Sequence, residues 1–252
     1  MQFKKPMNNN VLILLPTLNE VHNIADLYKK ILILKGNFSF LFIDDGSNDG
    51  TWEIIKKIKK SNKNNVFILR RNERKGLGKA HKDGLLWAYK KKFKYIITMD
   101  TDFAHDPFYI PLLIKKIKNA DLVTGSRYLK KNSTPNWSLF RLFLSKSAFI
   151  ISYILFGHTF DSTNAYRCYN LKSINKNFIK YCKSNDYDFF FTSLTILNLK
   201  NYKILQFPMI IKGRFAGNSK MHFKHMVKSV FMMFNLFFKI HFIYKKKFKT
   251  TN

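Results

Sequence analysis

The sequence predicts an α/β fold, an open, doubly wound and mostly parallel sheet flanked by helices. Three observations predict it. Between residues 11 and 124, short apolar runs alternate with Lys-studded amphipathic ones, which is the pattern of successive βαβ units. Acidic, Asn and Gly residues cluster directly behind those runs, where such a sheet opens its ligand crevice. Of the 252 residues, 46% are hydrophobic and 16% aromatic, so the chain is too apolar for disorder and long enough to bury a core.

The elements follow in order. Short apolar runs place strands at residues 11–15, 38–43, 66–69, 95–99 and 122–124. Apolar residues at helical spacing place helices at 24–34, 52–60, 79–91 and 108–118 between them. Five strands and four crossovers make one open sheet. The second half is less regular. It reads as helices over 137–156, 171–182 and 188–199, a strand over 203–211, a Gly-rich loop over 213–220, and an aromatic, basic segment over 221–249. No internal repeat or linker interrupts the pattern.

Forty-five Lys and Arg against 15 Asp and Glu give a formal charge of +30, a field that attracts polyanions. Saturation with Lys, Asn, Ile and Phe accounts for part of the excess as compositional bias. Its distribution is more informative, because twelve Lys and Arg but no acidic residue follow Asp188. Two cysteines, Cys168 and Cys182, are too few for a disulfide framework and imply a reducing compartment. No signal peptide is expected, since the N-terminal apolar run covers only residues 11–15.

The scarce carboxylates are concentrated. Asp44, Asp45, Asp49, Asp100, Asp102 and Asp106 occupy two short segments, each behind a predicted strand. An Asp-x-Asp on such a turn, Asp100 and Asp102, suits Mg²⁺ or Mn²⁺, since a hard cation takes one or two carboxylates plus phosphate oxygens. The cation would then neutralise charge on a departing diphosphate. Asp45 is placed to hold a base or ribose, Gly46 and Gly50 to free the backbone, and Thr51 to cap a helix. Asp49 reads as a turn residue. The Gly-x-Gly at Gly76 and Gly78 opens a helix whose start can receive phosphate.

In order, the motifs are Pro16-Thr-Leu-Asn-Glu20, Asp44-Asp-Gly-Ser-Asn-Asp-Gly-Thr51, Gly76-Leu-Gly78, Asp100-Thr-Asp-Phe-Ala-His-Asp-Pro107 and Gly125-Ser-Arg-Tyr128. This succession resembles glycosyltransferase family 2 over residues 11–220, and within it the polyprenyl-phosphate (dolichyl-phosphate) mannose synthases. The resemblance implies a GT-A type catalytic domain over residues 1–220, with a nucleotide-sugar half at 1–125 and an acceptor half at 126–220. An amphipathic, basic tail at 221–252 would follow.

By the same resemblance, Pro16, Leu18, Glu20, Ile43 and Asp45 line the nucleotide pocket, and Asp100 and Asp102 bind Mg²⁺ or Mn²⁺ with the donor diphosphate. The backbone of Thr101 touches the donor. Arg127, Arg141 and Ser145 grip the acceptor phosphate, with Arg127 also counted among the donor-binding residues, while Arg214 and Lys220 close over the donor phosphates. Asp102, Arg127 and Arg214 are then the catalytic set of an inverting transferase. The implied reaction moves one sugar, with GDP-mannose favoured, onto a polyprenyl phosphate. Arg141 and Ser145 are four residues apart, so one helical face presents both.

The sequence departs from the family pattern at Leu18, where an aromatic is usual, at Asn164-Ala165, where a small pair is expected, and at Thr192, where Glu is frequent. These positions bear on donor choice. A lipid phosphate, with its second pKa near about 6, arrives ionised and needs no general base. Gln-x-x-Arg-Trp, the mark of processive synthases, does not occur, so single transfer is favoured.

Uncharged apolar stretches at 147–160 and 229–238 fall short of the roughly 18 residues of a spanning helix, so no crossing is expected. Instead Lys228, Lys239 and the lysines of 245–249 flank Phe231, Phe234, Phe237 and Phe238, which suits a helix lying in the interface of an anionic membrane. The expected location is the cytoplasm, peripheral on the cytosolic face of a membrane. Whether a membrane-anchoring protein partner exists stays open. Three rivals also stay open: another nucleotide sugar such as UDP-glucose, or a nonlipid acceptor; a nucleotide-sugar-binding pseudoenzyme; and a nucleic-acid-binding protein. The last is disfavoured because no nucleic-acid signature is present and strand-end carboxylates repel phosphate.

Overall fold

A computed structural model describes residues 10–34, 36–135, 137–211 and 223–244, with side chains in the last segment from 230 to 242. Seven strands form one sheet: β1 (Val11–Thr17), β2 (Phe38–Asp44), β3 (Val66–Arg70), β4 (Tyr95–Thr98), β5 (Leu122–Ser126), β6 (Arg167–Asn170) and β7 (Ile204–Pro208). Their order is β3-β2-β1-β4-β6-β5-β7. All neighbours are parallel except where β6 runs against both β4 and β5.

Helices α1 (Ile24–Leu32), α2 (Thr51–Ser61), α3 (Leu77–Lys90), α4 (Ile110–Lys116), α5 (Leu139–Phe156), α6 (Asp188–Leu199) and α7 (Phe223–Phe238) cover the two faces. Alternation along the strands builds both cores. Leu12, Leu14, Leu41 and Ile43 pack with α3 and α6, while Ile13, Leu15, Phe40 and Phe42 pack with α1 and Ile55 of α2. With both faces covered, β1 and β2 are buried almost throughout and read as unbroken apolar runs.

The second half corrects the sequence expectations in three places. β6 was not expected. It is four residues long and begins with Arg167, a polar start that hides a strand. Arg167 is fully buried; its guanidinium donates to the carbonyls of Asn164 (2.8 Å), Ser162 (2.7 Å) and Phe190 (2.8 Å) and to Ser193 Oγ (2.9 Å). The helix expected over 171–182 is only a 3₁₀ turn, Lys176–Tyr181, opened by the Asn175 side chain, which accepts from the Asn177 N–H at 2.9 Å. And α5, though it carries Arg141 and Lys146, is among the described helices long and apolar enough to cross a membrane by length and composition. The uncharged stretch within it begins only after Lys146.

The antiparallel course of β6 has a positional consequence. Its first residue lies at the same edge as the ends of β1, β2, β4 and β5, so the segment leading into it, 161–166, is delivered to the crevice edge.

Candidate active site

The loops behind β1, β2 and β4 meet at that edge. The first two are tied backbone to side chain: the Asn19 N–H donates to Ser47 Oγ (2.9 Å), Glu20 N–H to Thr51 Oγ1 (2.8 Å), and Asn48 N–H to Asn19 Oδ1 (3.1 Å). Asp44 is consumed in its own turn, accepting from the Ser47 hydroxyl (2.5 Å) and N–H (3.1 Å). Asp49 accepts from the Thr51 hydroxyl and from the Thr51 and Val21 amides. Partial burial pushes its carboxyl up, but those hydrogen bonds outweigh it and hold the pKa below the ordinary value.

Asp45 organises the next loop. It accepts from Arg71 (2.9 Å) and from the amides of Lys75 (3.0 Å) and Gly76 (3.0 Å), and Arg71 reaches on to Asp83 at 2.6 Å. Gly76 has φ +94°, and a Cβ there would stand 2.5 Å from the Asn185 carbonyl, so only glycine fits. The start of α3 is thereby pressed against the loop that precedes α6.

A cleft opens between these loops. Pro16, Leu18 and Glu20 line it behind β1, Asp45 behind β2, and Asp100, Thr101 and Asp102 behind β4; Arg74, Leu77 and Tyr187 close the far side. Seven residues anticipated for donor or metal binding therefore share one cleft. Ile43 does not join them: its side chain is 1% exposed and belongs to the core, because the pleat turns it under the sheet while Asp45 two residues on has left the strand. Arg214 and Lys220 lie outside the described residues.

The Asp-x-Asp turn bends sharply, with Phe103 at φ +63°. Asp102 is 4% exposed and accepts from the Ala104 N–H at 3.0 Å, whereas the Asp100 side chain is about a third exposed. The Asp100 N–H donates to His105 Nδ1 at 2.9 Å. That nitrogen must be unprotonated, so the 3.7 Å approach of His105 to the Asp100 carboxylate is not an ion pair. No third His, Cys, Asp or Glu joins the two aspartates in a metal-type cluster among the described residues. Two hard oxygen donors fit Mg²⁺ or Mn²⁺ completed by phosphate oxygens and do not fit a closed zinc site.

Behind β5, at the same edge, the three residues anticipated for an acceptor phosphate are brought together through neighbours. Arg127 forms a two-point pair with Asp161, Nε to Oδ2 at 2.8 Å and Nη2 to Oδ1 at 2.6 Å, and Nη2 also donates to Thr163 Oγ1 at 2.5 Å. Burial works against its charge, but the Asp161 carboxylate outweighs that and raises the pKa above the ordinary arginine value. Arg141 sits 4.0 Å and Arg127 5.4 Å from the centroid of the Trp137 ring. Ser145 Oγ shares a 2.9 Å hydrogen bond with the Tyr128 hydroxyl. Trp137 and Asp161 were not singled out for a role from the sequence. A Trp just before a helix reads as packing, and an Asp 34 residues from its Arg carries no local signal. Asn164, one of the departures, is structural: its amide donates to the Gly125 carbonyl (3.0 Å) and its Oδ1 accepts from the Tyr166 N–H (2.8 Å).

A carboxylate cleft at the rim of a mostly parallel sheet, beside a cluster of guanidinium groups, defines a GT-A type nucleotide-diphospho-sugar transferase fold. Solved structures with this architecture include glucosyl-3-phosphoglycerate synthase from Mycobacterium tuberculosis in complex with Mn²⁺, UDP and phosphoglyceric acid, at TM-score 0.65 and 16% identity, covering 90% of this chain and 78% of that one. The model of glycosyl transferase family 2 matches residues 12–178, and the chain belongs to that family. It is 29% identical over 223 residues to the polyprenol monophosphomannose synthase of Mycolicibacterium smegmatis, covering 87% of this chain and 84% of the relative. It is 31% identical over 214 residues to the dolichol-phosphate mannosyltransferase of Pyrococcus furiosus, covering 84% of this chain and 59% of that longer protein.

Proposed function

We propose that the chain is a metal-dependent, inverting transferase that moves one mannose from GDP-mannose onto a polyprenyl phosphate at the cytosolic face of a membrane. The observation that carries this reading is one sheet edge bearing both a carboxylate cleft, Asp100 and Asp102 beside Asp45, and a guanidinium cluster, Arg127 and Arg141, at the foot of a helix with an apolar outer face. The names of the two mannose-transferring relatives support the choice of sugar and acceptor.

In this reading Pro16, Leu18, Glu20 and Asp45 hold the nucleotide, the Thr101 backbone touches the donor, and Arg214 and Lys220 cover its phosphates. Asp100 and Asp102 hold Mg²⁺ or Mn²⁺, which supplies charge neutralisation of the diphosphate. Arg127, Arg141 and Ser145 orient the acceptor. An ionised phosphate oxygen forms the new bond to the anomeric carbon while the bond from that carbon to the diphosphate breaks, its electron pair leaving with GDP. The acceptor oxygen has no proton to lose, so the protein contributes placement and electrostatics rather than a base.

Membrane contact falls to α5 and α7. Leu139, Phe140, Phe143, Ile150, Tyr153 and Ile154 of α5 are exposed, as are Phe231, Phe234 and Phe238 of α7, and the helices touch through Phe156 and Phe237. A peripheral position suits α5 better than a crossing, because the helix is held to the domain at its middle and at its C-terminal end: Phe149 packs on Tyr128 at 4.3 Å and Phe156 on Phe191 at 5.2 Å. A helix so held lays its apolar face on the bilayer.

The test is to incubate the protein with labelled GDP-mannose or UDP-glucose, a polyprenyl phosphate and Mg²⁺, and to follow label into the organic phase. Label from GDP-mannose is expected. Transfer from UDP-glucose alone would overturn the donor assignment, and no label from either would overturn the reaction.

A further inference from the structure

We propose that Asp161 and Trp137 are positioning residues for the acceptor phosphate, acting through Arg127 and Arg141; this rests on the reaction proposed above. Two residues from different parts of the chain carry it. Asp161, whose side chain is 1% exposed, meets Arg127 at Nε, at Nη2 and at its backbone N–H (3.0 Å), and its own N–H is held by Gln206 Oε1 at 3.0 Å. The carboxylate is therefore fixed by the sheet and in turn fixes the guanidinium plane. Nε and Nη2 are spent on Asp161 and Thr163, which leaves Nη1 as the edge of Arg127 able to meet a ligand.

The pairing also changes the charge count. Arg127 and Asp161 together are neutral, so a second cation beside them, Arg141, adds to the positive charge offered to a phosphate at this end of β5. That residue stands on the exposed first turn of α5, where a long side chain would sample many rotamers. The Trp137 ring limits them: the Arg141 guanidinium lies 4.0 Å from its centroid, a cation–π distance, and Arg127 lies on the same ring at 5.4 Å. One indole thus sets the spacing of two guanidinium groups that come from a strand end and a helix start. Asp161 fixes the first and Trp137 the second, and a phosphate meets both without having to order them.

The experiment uses the full chain with GDP-mannose and a polyprenyl phosphate, comparing wild type with Asp161→Asn, Trp137→Leu and Trp137→Phe. Loss of orientation is expected to raise the KM for the lipid phosphate by about tenfold to a hundredfold in Asp161→Asn and Trp137→Leu. The KM for GDP-mannose should stay within about twofold, because uniform binding of the donor is untouched. Trp137→Phe, which keeps an aromatic face, should recover most of the loss. A merely structural role would lower the active fraction and reduce kcat with both KM values unchanged; that outcome overturns the proposal, as does Trp137→Leu matching wild type. If Asp161→Asn fails to fold, the two Trp137 variants decide. A wild type without transfer would instead remove the proposed reaction, a result separate from any change among the variants.

Discussion

His81 offers a prediction whose size follows from its surroundings. It lies on α3, fully buried, with neither ring nitrogen hydrogen-bonded, between Phe189 at 5.9 Å and Phe190 at 4.7 Å. Burial first, then the positive charge of Arg167, push its pKa down from 6.5 to about 3. Because the folded value is depressed, the unfolded chain binds a proton below pH 6.5 that the native protein refuses. Stability from this group is present above pH 6.5 and is lost as pH falls toward 3, at about 1.4 kcal/mol per pH unit. At pH 5 the loss amounts to about 2 kcal/mol.

His81→Leu removes that loss and also the desolvation of two unpaired nitrogens, worth about 1–3 kcal/mol, against a repacking cost of up to about 1.5 kcal/mol. The variant should be more stable than wild type by about 1 kcal/mol at pH 7.5 and by about 3 kcal/mol at pH 5. Urea unfolding at the two pH values measures both gaps. His158, also depressed, to about 4 by burial and Arg167, titrates in both proteins and cancels from the comparison. An equal gap at the two pH values would refute the argument.

The functional predictions concern the crevice and the membrane face. Asp102→Ala should abolish sugar transfer, and chelation of divalent cations should do the same reversibly; full activity of the variant would remove the metal assignment. Gly76→Ala forces a side chain into φ +94° against the Asn185 carbonyl, which should cost about 1–3 kcal/mol by thermal or urea unfolding and raise the donor KM. Phe143→Glu combined with Phe234→Glu alters two exposed side chains, so folding should survive while sedimentation with anionic vesicles falls by about tenfold or more; unchanged sedimentation would count against the α5 and α7 surface.

The donor half was readable because its signals are local. The strand runs and helical spacings from residue 11 to 124 are each confined to one element, and a parallel sheet places whatever follows β1, β2 and β4 in one crevice. Pro16, Glu20, Asp45, Asp100 and Asp102 could therefore be grouped from order alone, and the glycosyltransferase family was legible in their succession. The exception within that half, Ile43, turned on which side of the pleat one residue faces.

The acceptor half depended on closure. β6 is too short and too polar at its start to show a period, yet its insertion between β4 and β5 buries Arg167 and carries Asp161 to Arg127. Periodicity and motif order, both properties of neighbouring residues, determined the class of the protein and the edge at which its chemistry sits. The partners of each charge were decided only when residues dozens of positions apart met in a low-dielectric interior, where an arginine without a carboxylate or a ring of carbonyls around it could not remain.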